Sequence, residues 1–258
     1  MQLAEERRQA IVDAVEQDGR VLAAELAQRL NTSEDTIRRD LRELDAAGLL
    51  RRVHGGAVRR APLPSFGERA ISELPRKNAL AQMLRDCVRP GDTVLIDAGS
   101  TNLAFARLLE DGQAATVVTN SPQVALALGE FRRTRVVLLG GTYNAAKGAV
   151  MGAWTLAELQ GLRADLCIVG VCAIDPERGL ATEDAEEATI KAAMLAGSAR
   201  SAAAVLNERL GDSAAFLFGR LTELDHLVLE ADAPPDTIAR LRQSAPGLDI
   251  QLAAKVRA

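Results

Sequence analysis

Residues 33–60 read "SEDTIRRDLRELDAAGLLRRVHGGAVRR". The first part has the pattern of one amphipathic helix. Ser33 is placed as its N-cap, and Glu34 and Asp35 set carboxylates against the positive end of the helix dipole. Gly48 stands where a C′ residue ends a helix. "LLRRV", "HGG" and "AVRR" then read as two short strands around a glycine turn. Upstream, "EERRQAIVDAVEQ" puts Ile11, Ala14 and Val15 on one helical face, and Asp18-Gly19 stops it. "LAAELAQRL" repeats the pattern with Leu22, Leu26 and Leu30, and Asn31-Thr32 forms a short break. Three short helices with a tight turn before the third, followed by a hairpin, predict a winged helix-turn-helix.

The third helix divides into two faces. Ser33, Ile37, Leu41 and Leu44 fall on the side expected to be buried, while Asp35, Arg39 and Arg42 fall opposite, with Arg38 at the flank and Thr36 near the start. Arginine reads guanine bidentately or clamps phosphate, and serine and threonine hydroxyls bond phosphates or base edges. Ser33, Thr36, Arg38, Arg39 and Arg42 are therefore candidate contacts to double-stranded DNA. In the hairpin, Arg51, Arg52 and His54 stand beside Gly55-Gly56, and Arg59 and Arg60 extend the positive stripe. A surface helix laced with ion pairs is the competing reading, because Glu34–Arg38, Asp35–Arg39 and Arg39–Glu43 all have i,i+4 spacing. Such a helix explains neither the turn before it nor the basic hairpin after it.

The net charge of the whole chain is −4, yet residues 38–60 hold seven arginines against Asp40, Glu43 and Asp45. The positive charge is thus local. At 258 residues and 48% apolar content, the chain has room for two domains with real cores. Its three cysteines, Cys87, Cys167 and Cys172, form no Cys-x-x-Cys, and Cys167 and Cys172 lie in "LCIVGVC", which reads as a buried strand. With His54 and His226 as the only histidines, no His-rich metal centre is expected. No apolar run approaches membrane-spanning length, and the N-terminus lacks a signal peptide's apolar centre. The expectation is a cytoplasmic protein with neither metal nor cofactor.

The prolines of "RRAPLPSFGERA" mark a linker, so residues 1–60 are expected as the DNA-binding domain, 61–75 as linker and 76–258 as a second domain. There, apolar runs alternate with helical ones. "TVLID", "ATVVTN", "RVVLLGG", "LCIVGV", "AAAVLN", "HLVLE" and "DIQLA" read as strands. "NALAQMLRDCV", "TNLAFARLL", "SPQVALALGEF", "WTLAELQGL", "EEATIKAAMLAGSA" and "DTIARLRQSA" read as helices. Continuous apolar strands between helices predict a mostly parallel α/β sheet covered on both faces.

Ligands bind such sheets at the carboxyl ends of the strands. Candidate ligand residues there are Asp97, Gly99, Ser100 and Thr101, then Thr119, Asn120 and Ser121, then Gly140 and Gly141, and Gly170. Glycines let backbone N–H groups approach an anion, hydroxyls add donors, and the helix start after Ser100 adds a positive dipole. An ordinary strand-helix turn with Ser100 as N-cap is the plainer alternative. Glu183, Asp184, Glu186 and Glu187 read mostly as a solvated helix start.

The stretch from "EERRQAIVDAVEQ" to "HGGAV" resembles the DeoR/GlpR family of bacterial transcription regulators. "S-x-x-T-I-R-R-D-L" followed by "G-x-L-x-R-x-H-G-G-A" is close to a family signature, and the likeness continues through "FGER" (66–69), "DAGSTN", "VVTNS", "GG" (140–141) and "AIDPERGLATEDAEEATIKAAM". The resemblance implies a C-terminal sensor domain similar in fold to ribose-5-phosphate isomerase and CoA transferases, one that senses a phosphorylated sugar or related metabolite. Lys77 and Lys191 match family positions near the sensor site, and a solvated surface charge is the other reading for each. The chain departs from the family's Asp-x-Ser-Lys-Phe-like segment, showing Asn207, Glu208 and Arg209 in "NERLGDSAAF". The effector then differs, binds more weakly, or meets Arg209. The leading expectation is a homo-oligomeric repressor controlled by a phosphorylated metabolite. A sugar-phosphate isomerase-like enzyme with an added DNA-binding arm is the alternative, as is a regulator whose pocket has decayed.

Overall fold

The spacing of apolar residues before residue 60 yields short helices around a small core. A computed structural model describes residues 4–47, 49–53, 55–58, 64–211 and 214–256. The chain forms two compact units, one built before Pro64 and one from most of the chain after it. The first contains α1 (Ala4–Asp18), β1 (Arg20–Leu22), α2 (Ala23–Arg29), α3 (Glu34–Ala46), β2 (Arg51–Val53) and β3 (Gly56–Val58). Ile11, Val15, Leu26, Ile37, Leu41, Leu44 and Leu50 meet in its core.

β1 is an addition to the expected hairpin. It pairs antiparallel with β3 on the side away from β2, giving the order β1-β3-β2. Leu22, read as the start of a helical stripe, is a strand residue and 36% exposed. The close approach of β1 explains Gly56, where a Cβ would lie 2.0 Å from the Val21 carbonyl oxygen. Gly48, His54, Arg59 and Arg60 lie outside the described residues.

The second unit begins with α4 (Phe66–Ile71) and α5 (Leu74–Leu84). α4 falls within the segment read as linker. Ser65 and Glu68 close a capping box at its start, and Phe66 is buried. There follow β4 (Thr93–Ile96), α6 (Ser100–Leu108), β5 (Thr116–Thr119), α7 (Pro122–Ala127) and β6 (Arg135–Leu138). Then come β7 (Thr142–Asn144), β8 (Ala149–Met151), α8 (Ala153–Gln160), β9 (Leu166–Ile168), β10 (Ala173–Asp175), β11 (Gly179–Thr182) and α9 (Ala185–Ala196). β12 (Ser201–Ala204), β13 (Phe216–Gly219), β14 (His226–Leu229), α10 (Pro235–Ser244) and β15 (Asp249–Leu252) complete it.

Every run expected as a strand after the linker contributes to one seven-stranded sheet, ordered β15-β14-β12-β9-β4-β5-β6. All its pairings are parallel. Alternate residues feed opposite faces: Leu95 and Cys167 join a core with Met194 and Leu227, whereas Val94, Ile96, Leu166 and Ile168 join one with Phe105 and Leu80. Both faces are thus covered, as parallel sheets require. Two smaller sheets, β10-β11-β13 and the β7-β8 hairpin, sit outside the expected set. Cys172 lies beyond the end of β9 and is half-buried, unlike Cys167 within the strand. Among the described residues no helix is long and apolar enough to cross a membrane.

Candidate nucleic-acid interface and anion site

The turn between α2 and α3 is made by Asn31 at φ 47°, a left-handed conformation that asparagine tolerates. Ser33 then caps α3, its Oγ accepting from the Thr36 N–H at 3.2 Å. Ser33 is exposed and not part of the buried face on which the pattern placed it. An N-cap lies half outside its helix, so the helical period does not govern it. Its hydroxyl also meets Thr36 Oγ1 at 2.9 Å.

The position left vacant on the inner side belongs to Asp40, which is 2% exposed. Arg7 from α1 reaches it with Nε at 2.6 Å and Nη2 at 3.2 Å. This forked pair fastens α1 to α3 through a charge-assisted contact. Arg7 and Asp40 were both missed by sequence reading, since their partnership spans 33 positions.

On the outer face, Arg38, Arg39 and Arg42 are exposed. Arg38 pairs with Glu34 at 2.7 Å and approaches Asp35 at 3.6 Å. Glu43 turns to Arg8 at 2.7 Å. The expected Asp35–Arg39 and Arg39–Glu43 pairs are therefore absent, and Arg39 has no carboxylate partner among the described residues. Among the described residues Arg42 bonds only the Arg38 carbonyl, at 3.2 Å. Arg51 and Arg52 lie on β2, and the Arg52 N–H is held by Asp45 at 3.3 Å. An exposed arginine face with unengaged guanidinium donors is suited to phosphates and guanine edges.

In the second unit, β4 ends at Ile96, Asp97 follows it, and α6 begins at Ser100. Gly99, not Ser100, is the N-cap, and it offers no side-chain cap. The leading N–H groups of α6 and the Ser100 and Thr101 hydroxyls have no partner among the described residues, and all of this loop is partly open to solvent. An uncapped helix start with free hydroxyls can receive an anion. The loop is held from beneath. Asn102 donates to the Asp97 and Ile168 carbonyls at 2.9 and 3.2 Å, and the Ala98 N–H donates to Asn120 Oδ1 at 2.8 Å. Thr119 donates to the Ile96 carbonyl at 2.6 Å and accepts from the Ser121 N–H at 3.0 Å. Thr119 and Asn120 are thus scaffold for the loop.

Asp97 and Lys191, 2% and 1% exposed, form an ion pair directly beneath this loop. Asp97 also accepts from the Gly170 N–H at 2.9 Å, and Lys191 donates to the Gly170 carbonyl at 2.8 Å. Gly170 permits this approach: a Cβ there would lie 2.9 Å from the Ala98 carbonyl oxygen and 3.0 Å from Asp97 Oδ2. Lys191 continues to Glu187 at 3.2 Å, and Glu187 to Lys147 at 2.6 Å. Burial alone would push the Glu187 carboxyl up, but Lys191, Lys147 and Thr182 together hold it down at about 2. Burial would likewise lower the Lys191 ammonium, and Asp97 and Glu187 raise it instead. Glu187 is largely buried, while Asp184 caps α9 and Glu186 is exposed. The i,i+4 spacing of Glu187 and Lys191 was the available signal for this network.

Gly140 and Gly141 are drawn into a different contact. Gly140 bonds Glu158 and Thr155 of α8, and a Cβ on Gly141 would lie 2.2 Å from Thr155 Oγ1. Lys77, 4% exposed, donates to the Arg69 and Ser72 carbonyls at 2.5 and 2.7 Å. Burial, then the Arg69 charge, pushes its ammonium below the ordinary lysine value. Neither Lys77 nor Lys191 is a surface charge. The departing segment forms a turn over Asn207–Arg209, fastened by Arg76, which grips Glu208 at 2.8 Å and Glu230 at 2.6 Å. At its end Arg209 is half-buried and has no side-chain hydrogen-bond or ion-pair partner among the described residues.

Comparison with known proteins gives a consistent assignment. Residues 7–62 match the DeoR-like helix-turn-helix domain, and residues 72–231 match the DeoR C terminal sensor domain. The HTH-type transcriptional regulator GlpR of Haloferax volcanii is 33% identical over 91% of this chain and 93% of its own. The glycerol-3-phosphate regulon repressor of Escherichia coli K12 is 31% identical over 89% and 91%. Among solved structures, ribose 5-phosphate isomerase A from Neisseria gonorrhoeae is similar at a TM-score of 0.39 and 13% identity, over 54% of each chain. Both halves of the sequence match, in order and over nearly their full length: the chain belongs to the DeoR family of transcriptional regulators.

Proposed function

We propose that this regulator is a repressor whose operator affinity is set by a phosphorylated metabolite bound at the Gly99–Thr101 loop. One observation carries the reading. Among the described residues, the same chain has an arginine face on α3 on which Arg39 meets no carboxylate, and an uncapped α6 start whose Ser100 and Thr101 hydroxyls have no partner. The phosphate accepts from the α6 N–H groups and these hydroxyls. Arg209 supplies the cation that the family's missing lysine would have brought. The ligand acts by binding two conformations of the protein unequally. The protein works as a homo-oligomer, since helix-turn-helix proteins usually engage paired half-sites.

The isomerase alternative is not favoured by the chemistry. A general base needs a pKa near the working pH, and Glu187 is held at about 2. Asp97 is buried and engaged with Lys191 and Gly170. These groups read as a structural network under a binding loop.

Fluorescence anisotropy on duplexes from the protein's own genomic neighbourhood tests the proposal. Binding is expected at low salt, with release on adding one of a panel of sugar and polyol phosphates. Glycerol 3-phosphate heads the panel, because a relative's name refers to that regulon. If every duplex is ignored at low salt the reading fails, and multiple turnover of a phosphate substrate would restore the enzyme.

A further inference from the structure

β6 is the end strand of the seven-stranded sheet. Its Arg135 N–H bonds the Ala115 carbonyl at 3.0 Å, and its neighbour Leu139 bonds the Thr119 carbonyl at 2.9 Å. Main-chain groups alternate sides along a strand, so Arg135, Val137 and Leu139 face β5 while Val136, Leu138 and Gly140 face outward. At Gly140 the outward groups are covered: the N–H goes to Glu158 Oε2 at 2.7 Å and the carbonyl accepts from Thr155 at 2.6 Å. Among the described residues nothing pairs with the outward groups of Val136 and Leu138. Exposed apolar side chains border this open stretch: Leu138 is 46%, Leu126 80%, Trp154 69% and Tyr143 46% exposed. Tyr143 accepts from Gln123 of α7 at 2.8 Å, and Trp154 lies against Gly140, so they flank the same edge. An unpaired strand edge with an apolar border is a template for pairing.

We propose that β6 is a self-association edge at which a second copy of this chain pairs antiparallel, continuing the sheet across a two-fold axis. This goes beyond the regulatory reading by assigning the surface that joins the copies. The strand is complementary to itself. With the axis at Val137, Val136 stands opposite Leu138 of the second copy, and the outward groups exchange reciprocal N–H···O=C bonds. The same register sets Arg135 opposite Leu139 of the second copy, on the face that carries α8. Arg135 is exposed and has no carboxylate partner among the described residues. Glu158 of α8 binds the Gly140 N–H and the Trp154 indole, and no cation among the described residues. The pairing thus brings an unengaged guanidinium to a carboxylate without a counter-ion, beside an exposed indole.

The test is the assembly mass of the full chain by analytical ultracentrifugation over a concentration series. Leu138→Pro removes an outward N–H and leaves the bonds to β5, so self-association is expected to weaken roughly tenfold or more. Leu252→Lys, on the opposite edge strand β15, is expected to leave the mass unchanged. Val137→Cys places two thiols across the axis in a non-hydrogen-bonded pair, within reach of a disulfide, and mild oxidation is expected to give a covalent dimer on a non-reducing gel. If Leu138→Pro does not fold, the Val137→Cys result decides. A monomeric wild type, a folded Leu138→Pro with unchanged mass, or a Val137→Cys variant that stays uncross-linked overturns the proposal.

Discussion

Asp97, just after β4, and Lys191, within α9, form a buried ion pair across 94 positions of sequence. It joins the sheet to the helix that covers it, immediately under the Gly99–Thr101 loop. Removing one member of such a pair leaves an uncompensated interior charge, at about 3–5 kcal/mol. Asp97→Asn is expected toward the lower end of that range, because Lys191 keeps Glu187 at 3.2 Å. Lys191→Met is expected to be worse, leaving both carboxylates beside an apolar group. The double variant should be more stable than the sum of the two losses predicts. Urea unfolding of the four proteins measures this coupling, and strictly additive losses would count against it.

Glu187 makes the second unit sensitive to acid. Its carboxyl lies at about 2 in the fold against an ordinary 4.5. A depressed carboxylate stabilises the fold above its unfolded value and loses that contribution as pH falls through the folded value. The stabilisation is on the order of 3 kcal/mol above pH ~4.5 and declines toward pH ~2. Melting temperature measured across this window should fall in the wild type. Glu187→Gln should be less stable at neutral pH and show a shallower decline.

The arginines of the first unit separate into two kinds. Arg7 is held against Asp40 inside the fold, and Arg39 is exposed with no carboxylate partner among the described residues. Arg39→Ala is expected to weaken operator binding by about 1–3 kcal/mol if it reads a base pair, with the melting temperature unchanged. Arg7→Ala is expected to lower the melting temperature, because it strands a carboxylate that is 2% exposed. Anisotropy and thermal melts on both variants distinguish the roles, and an unchanged operator affinity would remove Arg39 from the interface.

Ser100→Glu tests the loop. A carboxylate at the first position of α6 suits the helix dipole, so the fold and DNA binding should survive. The same charge repels a phosphate, so release of DNA by the effector should be lost. If the effector still acts on this variant, the anion binds elsewhere.

The comparison of pattern with structure divides by the range of the interactions involved. "TVLID" and "HLVLE" announced buried parallel strands because a strand covered on both faces is apolar at every position. The α3 arginines were legible because helical period alone separates Arg39 and Arg42 from Ile37 and Leu41. Shorter elements left weaker traces. β7, "TYN", is largely exposed and carries no apolar run, and β1 has only three residues. The α/β architecture and the arginine face of α3 are therefore properties of the sequence, written in local periods of two and 3.6 residues. That Asp40 is interior, that Lys191 lies under the loop and not on the surface, and that Glu187 joins Lys147 across 40 positions were decided by tertiary structure. A charge reveals its partner only when the chain has folded back on itself, and no local period encodes that return.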